Sequence, residues 1–185
     1  MVKHSVPTSP PSMVRTRRAY FDCQFGQLHV RTAFPSSGGF DEHVTLFCLH
    51  HTEASSRIFD RFLPEIADVR SVYAPDLPGW GESDPSPSRS VAEAAAAVSD
   101  LANDLRLRQI DLLGFQFGGL VALELARARP ELVRRLVLAG VPAAERASAV
   151  RQRTLVLRLD GQDQPFDAAA KSTARHIHAF LRGDP

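Results

Sequence analysis

The chain has 185 residues and a formal net charge of +1, with 44% hydrophobic and 23% charged residues. A chain of this length buries enough surface to fold as one domain without disulfide or metal support. The near-neutral charge excludes the strongly basic surface of a nucleic-acid-binding protein, and no apolar stretch approaches the roughly 18 residues that a membrane helix needs.

The first 18 residues predict a flexible arm ahead of one domain over residues 19–185. Three prolines interrupt any helix in this arm, which offers little apolar surface for docking and lacks the apolar core of a secretory signal. Cys23 and Cys48 each lie in an apolar segment that favours a buried free thiol, although a single bridge between them also agrees with the sequence. We therefore expect a cytoplasmic protein.

Short apolar runs predict the strands of a sheet. The first two, over residues 20–25 and 27–34, alternate in polarity and are hinged at Gly26, which is typical of a strand pair. A nearly continuous apolar run over residues 44–49 is typical of a strand covered on both faces. Further strands are predicted over residues 71–74, 110–113, 136–139 and 155–159.

Helical periodicity alternates with these strands. Ser90 and Glu93 match a capping box at the start of one helix, and a helical pattern over residues 55–67 is expected to kink or end early at Pro64. Further helices are predicted over residues 120–129, 143–151 and 166–180. After two leading strands, strand and helix alternate strictly, which predicts an α/β fold: a mostly parallel sheet with helices on both faces.

In such a sheet, a ligand binds beyond the carboxyl ends of the strands. The most specific sequence at this edge covers residues 112–126, where a strand enters a turn flanked by Gly114 and Gly118 and continues into a helix. This segment resembles the nucleophile elbow, Gly-x-Ser-x-Gly, of the α/β-hydrolase superfamily. Residues 49–50 and 74–84 resemble the loops that follow the third and fourth strands of that family.

The nucleophile position of this resemblance is occupied by Gln116. A primary amide has no usable nucleophilic lone pair, so no acyl-enzyme forms there and serine-type hydrolysis is not expected. An enzyme without its nucleophile keeps at most about 10³–10⁴-fold acceleration over water. Because the glycines also fail to match a dinucleotide fingerprint or a phosphate loop, we expect no cofactor.

The resemblance also implies His-Gly after the third strand, and His51 replaces that glycine. We predict Gln116, His51 and Asp163 as catalytic residues, with His51 as base or acid and Gln116 orienting substrate or water. The predicted substrate-binding residues are His50, Thr52, Phe117 and Trp80.

Some roles at this edge stay open. Backbone N–H groups near Thr52 and Phe117 are the predicted oxyanion donors. His50 is alternatively a scaffold residue beneath the oxyanion loop. A metal site at His50 and His51 is not expected, because adjacent strand residues point to opposite faces.

The last predicted strand has two possible alignments with the family. As the seventh strand, it places Asp160 or Asp163 in the acid role and omits an eighth strand. As the eighth strand, it places Gln162 or Asp163 where the family has its histidine. Neither alignment supplies a catalytic histidine, because His176 and His178 lie too far along the closing helix to point at the elbow.

The segment over residues 141–153 leaves room only for a minimal crossover, so we predict that the helical cap implied by the resemblance is absent. Three functions stay open. The first is a hydrolase-superfamily enzyme that acts on a small organic or acyl substrate without a Ser-His-Asp triad. The second is a non-catalytic descendant that binds a small ligand or a protein. The third is a truncated, inactive hydrolase. We expect a small-molecule ligand and a monomer or homodimer, with the edge strand over residues 155–159 available for pairing.

Overall fold

The computed structural model describes residues 14–36, 43–142, 150–157 and 166–183. Its strands are β1 (Arg15–Cys23), β2 (Gly26–Phe34), β3 (Leu46–Leu49), β4 (Val72–Pro75), β5 (Ile110–Phe115), β6 (Val133–Ala139) and β7 (Arg153–Leu157). They form one sheet in the order β1-β2-β4-β3-β5-β6-β7. β2 is antiparallel to both of its neighbours, and all other neighbouring strands are parallel.

Helices cover both faces of this sheet. They are a 3-10 helix (Ser56–Phe59) and the α-helices α1 (Leu63–Ile66), α2 (Val91–Asp104), α3 (Phe117–Ala128) and α4 (Ala170–Arg182). One apolar core lies between the sheet and α2 and α3, and a second lies between the sheet and the 3-10 helix, α1 and α4. The predicted α/β architecture, mostly parallel with two leading strands, is therefore confirmed.

The first strand begins earlier than the sequence predicts. Arg15 pairs with Phe34, and Arg18 pairs with Arg31, so the boundary predicted after residue 18 is wrong. The physical reason is that β2 offers an unbroken row of backbone partners, which polar residues also use when their side chains stay in solvent. Residues 1–13 lie outside the described ranges, and the arm stays a prediction for them.

Two predicted helix starts have different outcomes. The Ser90 hydroxyl accepts a hydrogen bond of 3.2 Å from the Glu93 N–H, which confirms the cap of α2, while the Glu93 carboxylate accepts from Ser86. The pattern over residues 55–67 forms two short helices instead of one. Pro64 lies in the first turn of α1, where its missing N–H leaves no hydrogen bond unmade.

The connection from β6 to β7 comprises residues 140–152, which is too short for a helical cap. The helix predicted over residues 143–151 lies mostly outside the described ranges. β7 is parallel to β6 and stands seventh in the sheet, with no partner on its other side among the described residues. This position agrees with the seventh-strand alignment.

Cys23 and Cys48 are both free, as the sequence favours. Across the described ranges, no helix combines the length and the apolar character needed to cross a membrane.

Candidate functional site

Gln116 lies at the turn between β5 and α3, with φ of 49° and ψ of −109°. A non-glycine residue in this conformation costs about 1–3 kcal/mol and persists only where its surroundings hold it. The Gln116 N–H donates to the Ala139 carbonyl at 2.8 Å, and the Gln116 carbonyl accepts from the Gly119 N–H at 2.9 Å. The side chain is exposed. The turn therefore presents a carboxamide to solvent at the carboxyl edge of the sheet.

Two glycines allow the elbow to form against the sheet. A Cβ atom at Gly114 would collide with the backbone of Gly118 and Gly119. A Cβ atom at Gly118 would collide with the backbone of Leu49 and His50. The first turn of α3 therefore packs directly on the end of β3, which brings the loop carrying His51 next to the elbow.

His50 is fully buried and joins two loops. Its Nε2 accepts a hydrogen bond of 2.8 Å from the Leu77 N–H, so Nδ1 carries the ring hydrogen and donates to the His51 carbonyl at 2.7 Å. Burial lowers the pKa of His50, against the opposing effects of this hydrogen bond and of the Asp76 charge. The ring is therefore neutral at pH 7 and has no nitrogen left for a substrate. This geometry corrects the predicted substrate contact and supports the scaffold alternative.

His51 lies beside the elbow and is only half-buried. Its ring stands perpendicular to the Phe115 ring, with centroids 5.1 Å apart, and Phe115 directly precedes Gln116. Within the part of the chain that the structure describes, no carboxylate pairs with the His51 ring. Thr52 is exposed. The His51 ring therefore contacts the residue before Gln116, and among the described residues no acid orients its imidazole.

The remaining predicted site residues pack elsewhere or lie outside the described ranges. Phe117 is half-buried and packs against the core under α3. Trp80 lies on the loop after β4, and its ring is covered by the Arg89 guanidinium at 4.7 Å. Asp163 lies outside the described ranges, as do Asp160 and Gln162, so the acid role stays a prediction.

The loop after β4 is organised around Asp76, which is buried. Its carboxylate accepts hydrogen bonds from the Ser56 N–H at 2.6 Å and the Glu82 N–H at 2.8 Å, and it lies 2.9 Å from the His29 Nδ1. The Ser83 hydroxyl donates to the Asp76 carbonyl. Burial favours a higher pKa for Asp76, but the hydrogen bonds outweigh it and lower the pKa. Asp76 and Ser83 thus tie the loop to the sheet, as the sequence indicated.

Phe166 was not predicted to belong to this site. Its ring packs against Phe115, Phe59 and Phe62 at centroid distances of 5.6, 5.0 and 5.2 Å, which forms an aromatic cluster next to His51. The sequence marked Phe166 only as one apolar position of the closing helix, and only the fold places it beside Phe115.

In the described ranges, no group of three or more His, Cys, Asp or Glu side chains could hold a metal ion.

Known proteins resemble this chain over most of its length. A family model described as the alpha/beta hydrolase fold matches residues 44–185. A pimeloyl-acyl-carrier-protein methyl ester esterase of Neisseria meningitidis is 31% identical over 140 residues, covering 74% of this chain and 51% of that protein. A 2-hydroxymuconate semialdehyde hydrolase of a Pseudomonas species is 46% identical over 83 residues, covering 42% of this chain and 28% of that protein. The chain thus spans about half the length, or less, of these relatives.

Solved structures agree with this relationship. A haloalkane dehalogenase of Bradyrhizobium elkani matches with a TM-score of 0.61 and 26% identity, over 69% of this chain and 42% of that one. An N-acyl homoserine lactonase in complex with N-butanoyl homoserine matches with a TM-score of 0.60 and 27% identity, over 68% of this chain and 45% of that one. The family model over residues 44–185 and the sheet order show that the chain belongs to the α/β-hydrolase fold family.

Proposed function

We propose that this chain binds a small organic carbonyl compound at the carboxyl edge of its sheet, without the covalent step of a serine-type hydrolase. The observation that carries the proposal is the exposed carboxamide of Gln116 at a turn that presents its residue to a ligand. An amide can donate and accept hydrogen bonds, but it cannot attack a carbonyl carbon. Similar proteins are named for an ester, a semialdehyde and a lactone, which are all carbonyl compounds.

The arrangement around Gln116 supports binding of a carbonyl oxygen. The Gly119 N–H already donates to the Gln116 carbonyl, but the N–H groups of Phe117 and Gly118 have no acceptor within the helix and lie where the helix dipole is positive. The carboxamide of Gln116, and the imidazole of His51 beside Phe115, are further groups that can hydrogen-bond a ligand. Because these groups act through hydrogen bonds, the carbonyl compound that they bind can be uncharged.

The proposal is tested by labelling and by binding. Incubation with a fluorophosphonate or with p-nitrophenyl butyrate, followed by intact-protein mass spectrometry, is expected to leave the wild-type protein unlabelled. Butyramide, a carbonyl compound that does not react, is expected to bind in a calorimetric titration. Gln116→Ala is expected to weaken that binding about two- to tenfold, which corresponds to one neutral hydrogen bond.

Gln109→Ala is the matched control, because Gln109 is exposed and lies before β5, away from the elbow. A covalent adduct at position 116 would overturn the proposal. A titration without any butyramide binding would also overturn it and would favour an inactive hydrolase-family chain. Gln116→Ser restores a hydroxyl at the elbow, and fluorophosphonate labelling of this variant would show that the donors around it are intact.

A second candidate function is slow hydrolysis by direct attack of water. It is favoured by the position of His51, whose half-buried ring lies beside the elbow with no carboxylate partner among the described residues. His51 would accept the proton of the attacking water, and backbone N–H groups would hold the oxyanion. Hydrolysis of p-nitrophenyl butyrate should then be lost in His51→Ala and kept in His43→Ala. Activity that survives His51→Ala would remove this histidine from the mechanism.

A further inference from the structure

A cleft of about 520 Å³ lies on the hairpin of β1 and β2, far from the elbow in the sheet order. Its walls come from both strands, from Asp60 after the 3-10 helix and from the first residues of α1. The lining residues used below are Thr16, Arg17, Arg18, Arg31 and Asp60. Because β4 and β3 separate the hairpin from β5, this cleft is distinct from the candidate functional site.

The charges in this cleft are not balanced. Arg18 and Arg31 stand directly opposite each other in the antiparallel register of β1 and β2, so their side chains share one face. Two like charges in this position repel each other. Asp60 compensates only one of them, through an ion pair of 2.9 Å with Arg31.

Arg17 and Arg18 are exposed, and neither side chain forms a hydrogen bond or an ion pair with another described residue. Glu82 is hydrogen-bonded to Arg57 at 3.0 Å, and the charge of Arg18 acts on this carboxylate without an ion pair between the two side chains. Successive strand residues point to opposite faces, so Arg17 lies on the other face of β1. Two guanidinium groups, those of Arg18 and Arg31, therefore share a face with one carboxylate, which leaves the charge of Arg18 without an ion-pair partner in the described part of the chain.

We propose that this cleft binds the phosphate group of a small phosphorylated compound. A phosphate monoester carries close to two negative charges at neutral pH, so it can bind the opposed Arg18 and Arg31 guanidinium groups together and relieve their repulsion. The planar fork of a guanidinium fits phosphate oxygens in pairs, and the exposed hydroxyl of Thr16 adds a further donor. The volume of the cleft falls within the range of small-molecule sites.

The ligand of the test is phenyl phosphate, measured by calorimetric titration of the full chain at low salt. Phenyl phosphate is expected to bind with a stoichiometry of one, and benzoate is expected to bind at least about tenfold more weakly, since it carries half the charge. The affinity for inorganic phosphate is measured beside that for phenyl phosphate. Equal affinities indicate that the cleft contacts only the phosphate group, and a higher affinity for phenyl phosphate indicates that it also contacts the organic group. Equal affinity for phenyl phosphate and benzoate would contradict the proposal.

The variants separate the cleft from general electrostatic attraction. Arg18→Gln is expected to weaken phenyl phosphate binding about tenfold, and Asp60→Asn is expected to strengthen it because it removes the competing carboxylate. Arg108→Gln is the matched control, since Arg108 is exposed, lies before β5 and changes the net charge equally. An equal loss in Arg18→Gln and Arg108→Gln would overturn the proposal. Absence of phosphate binding in the wild type would also overturn it, and the arginines would then only protect the sheet edge.

Discussion

At Gln116, the backbone conformation and the side-chain chemistry have separate origins. The positive φ is imposed by the turn between β5 and α3 and by the hydrogen bond to Ala139 on β6. Whichever residue stands there is therefore presented at the edge of the sheet. The spacing of Gly114 and Gly118 predicted this presentation, and the identity of residue 116 alone predicted the lack of a nucleophile.

Asp76 provides a prediction of pH dependence at the same scale. Asp76→Asn is expected to lower the free energy of unfolding at pH 7 by about 2–3 kcal/mol, because a buried carboxylate with several donors is lost. The folded protein holds the pKa of Asp76 below its ordinary value of 3.8. The stabilisation is therefore fully present above pH 3.8 and is lost as the pH falls through the lower, folded-state pKa.

The measurement is urea unfolding of wild type and Asp76→Asn at pH 7, 5 and 3. The difference between the two proteins should be constant from pH 7 to pH 5 and should shrink at pH 3. Asp104→Asn is the control, because Asp104 is exposed at the end of α2. A difference that stays the same at all three pH values would contradict the role given to the carboxylate.

At the scale of elements, the contact of α3 with β3 depends on one missing side chain. By helix propensity alone, Gly118→Ala would stabilise α3 by about 1 kcal/mol. The tertiary contact reverses this expectation, because the new Cβ atom would meet the carbonyl groups of Leu49 and His50, which cannot rotate away. We expect a loss of about 3 kcal/mol in the free energy of unfolding, measured by urea denaturation.

Gly119→Ala is the matched control for this prediction. A Cβ atom at Gly119 would meet the side chain of Val141, which has rotamers available, so the cost should be smaller. The expected order of stability is wild type, then Gly119→Ala, then Gly118→Ala. If Gly118→Ala unfolds at the same urea concentration as the wild type, the close packing of α3 on β3 is refuted.

The elements differ in how well the sequence predicted them. α2 was predicted with its cap, because a capping serine and a helical apolar face are local signals. The beginning of β1 was not, because residues 15–18 join the sheet through backbone pairing with β2, which their own side chains do not signal. Pro64 predicts a kink or an early end of a helix over residues 55–67, but proline also fits the first turn of a new helix, and the structure places it there.

At the scale of the whole molecule, a buried ionic cluster joins the sheet to the closing helix. Asp111 is fully buried on β5, and its carboxylate contacts Arg70 at 3.2 Å and Arg134 at 2.9 Å and 2.6 Å. Arg134 also donates to the Leu181 carbonyl at the end of α4, and Arg135 donates to the Phe180 carbonyl. The cluster connects elements that lie far apart in the sequence, at the edge opposite to the candidate functional site.

Removal of the central charge should destabilise the whole fold. Asp111→Asn is expected to lower the free energy of unfolding by about 3–5 kcal/mol, because Arg70 would stay fully buried without its counter-ion. Urea denaturation followed by circular dichroism measures this loss. Asp104→Asn, which removes an exposed carboxylate from α2, should change the stability by less than about 0.5 kcal/mol. Equal stability of the two variants would show that the cluster does not hold the molecule together.

The sequence by itself determined the class of the fold and placed Gln116 at the turn between β5 and α3. These features depend on local periodicity and on glycine spacing. Only the tertiary structure decided that His50 is a buried support, that Phe166 lies against Phe115 and that Arg18 faces Arg31. The physical reason is that burial, hydrogen-bond partners and charge neighbours arise from elements distant in the sequence, which no local pattern records.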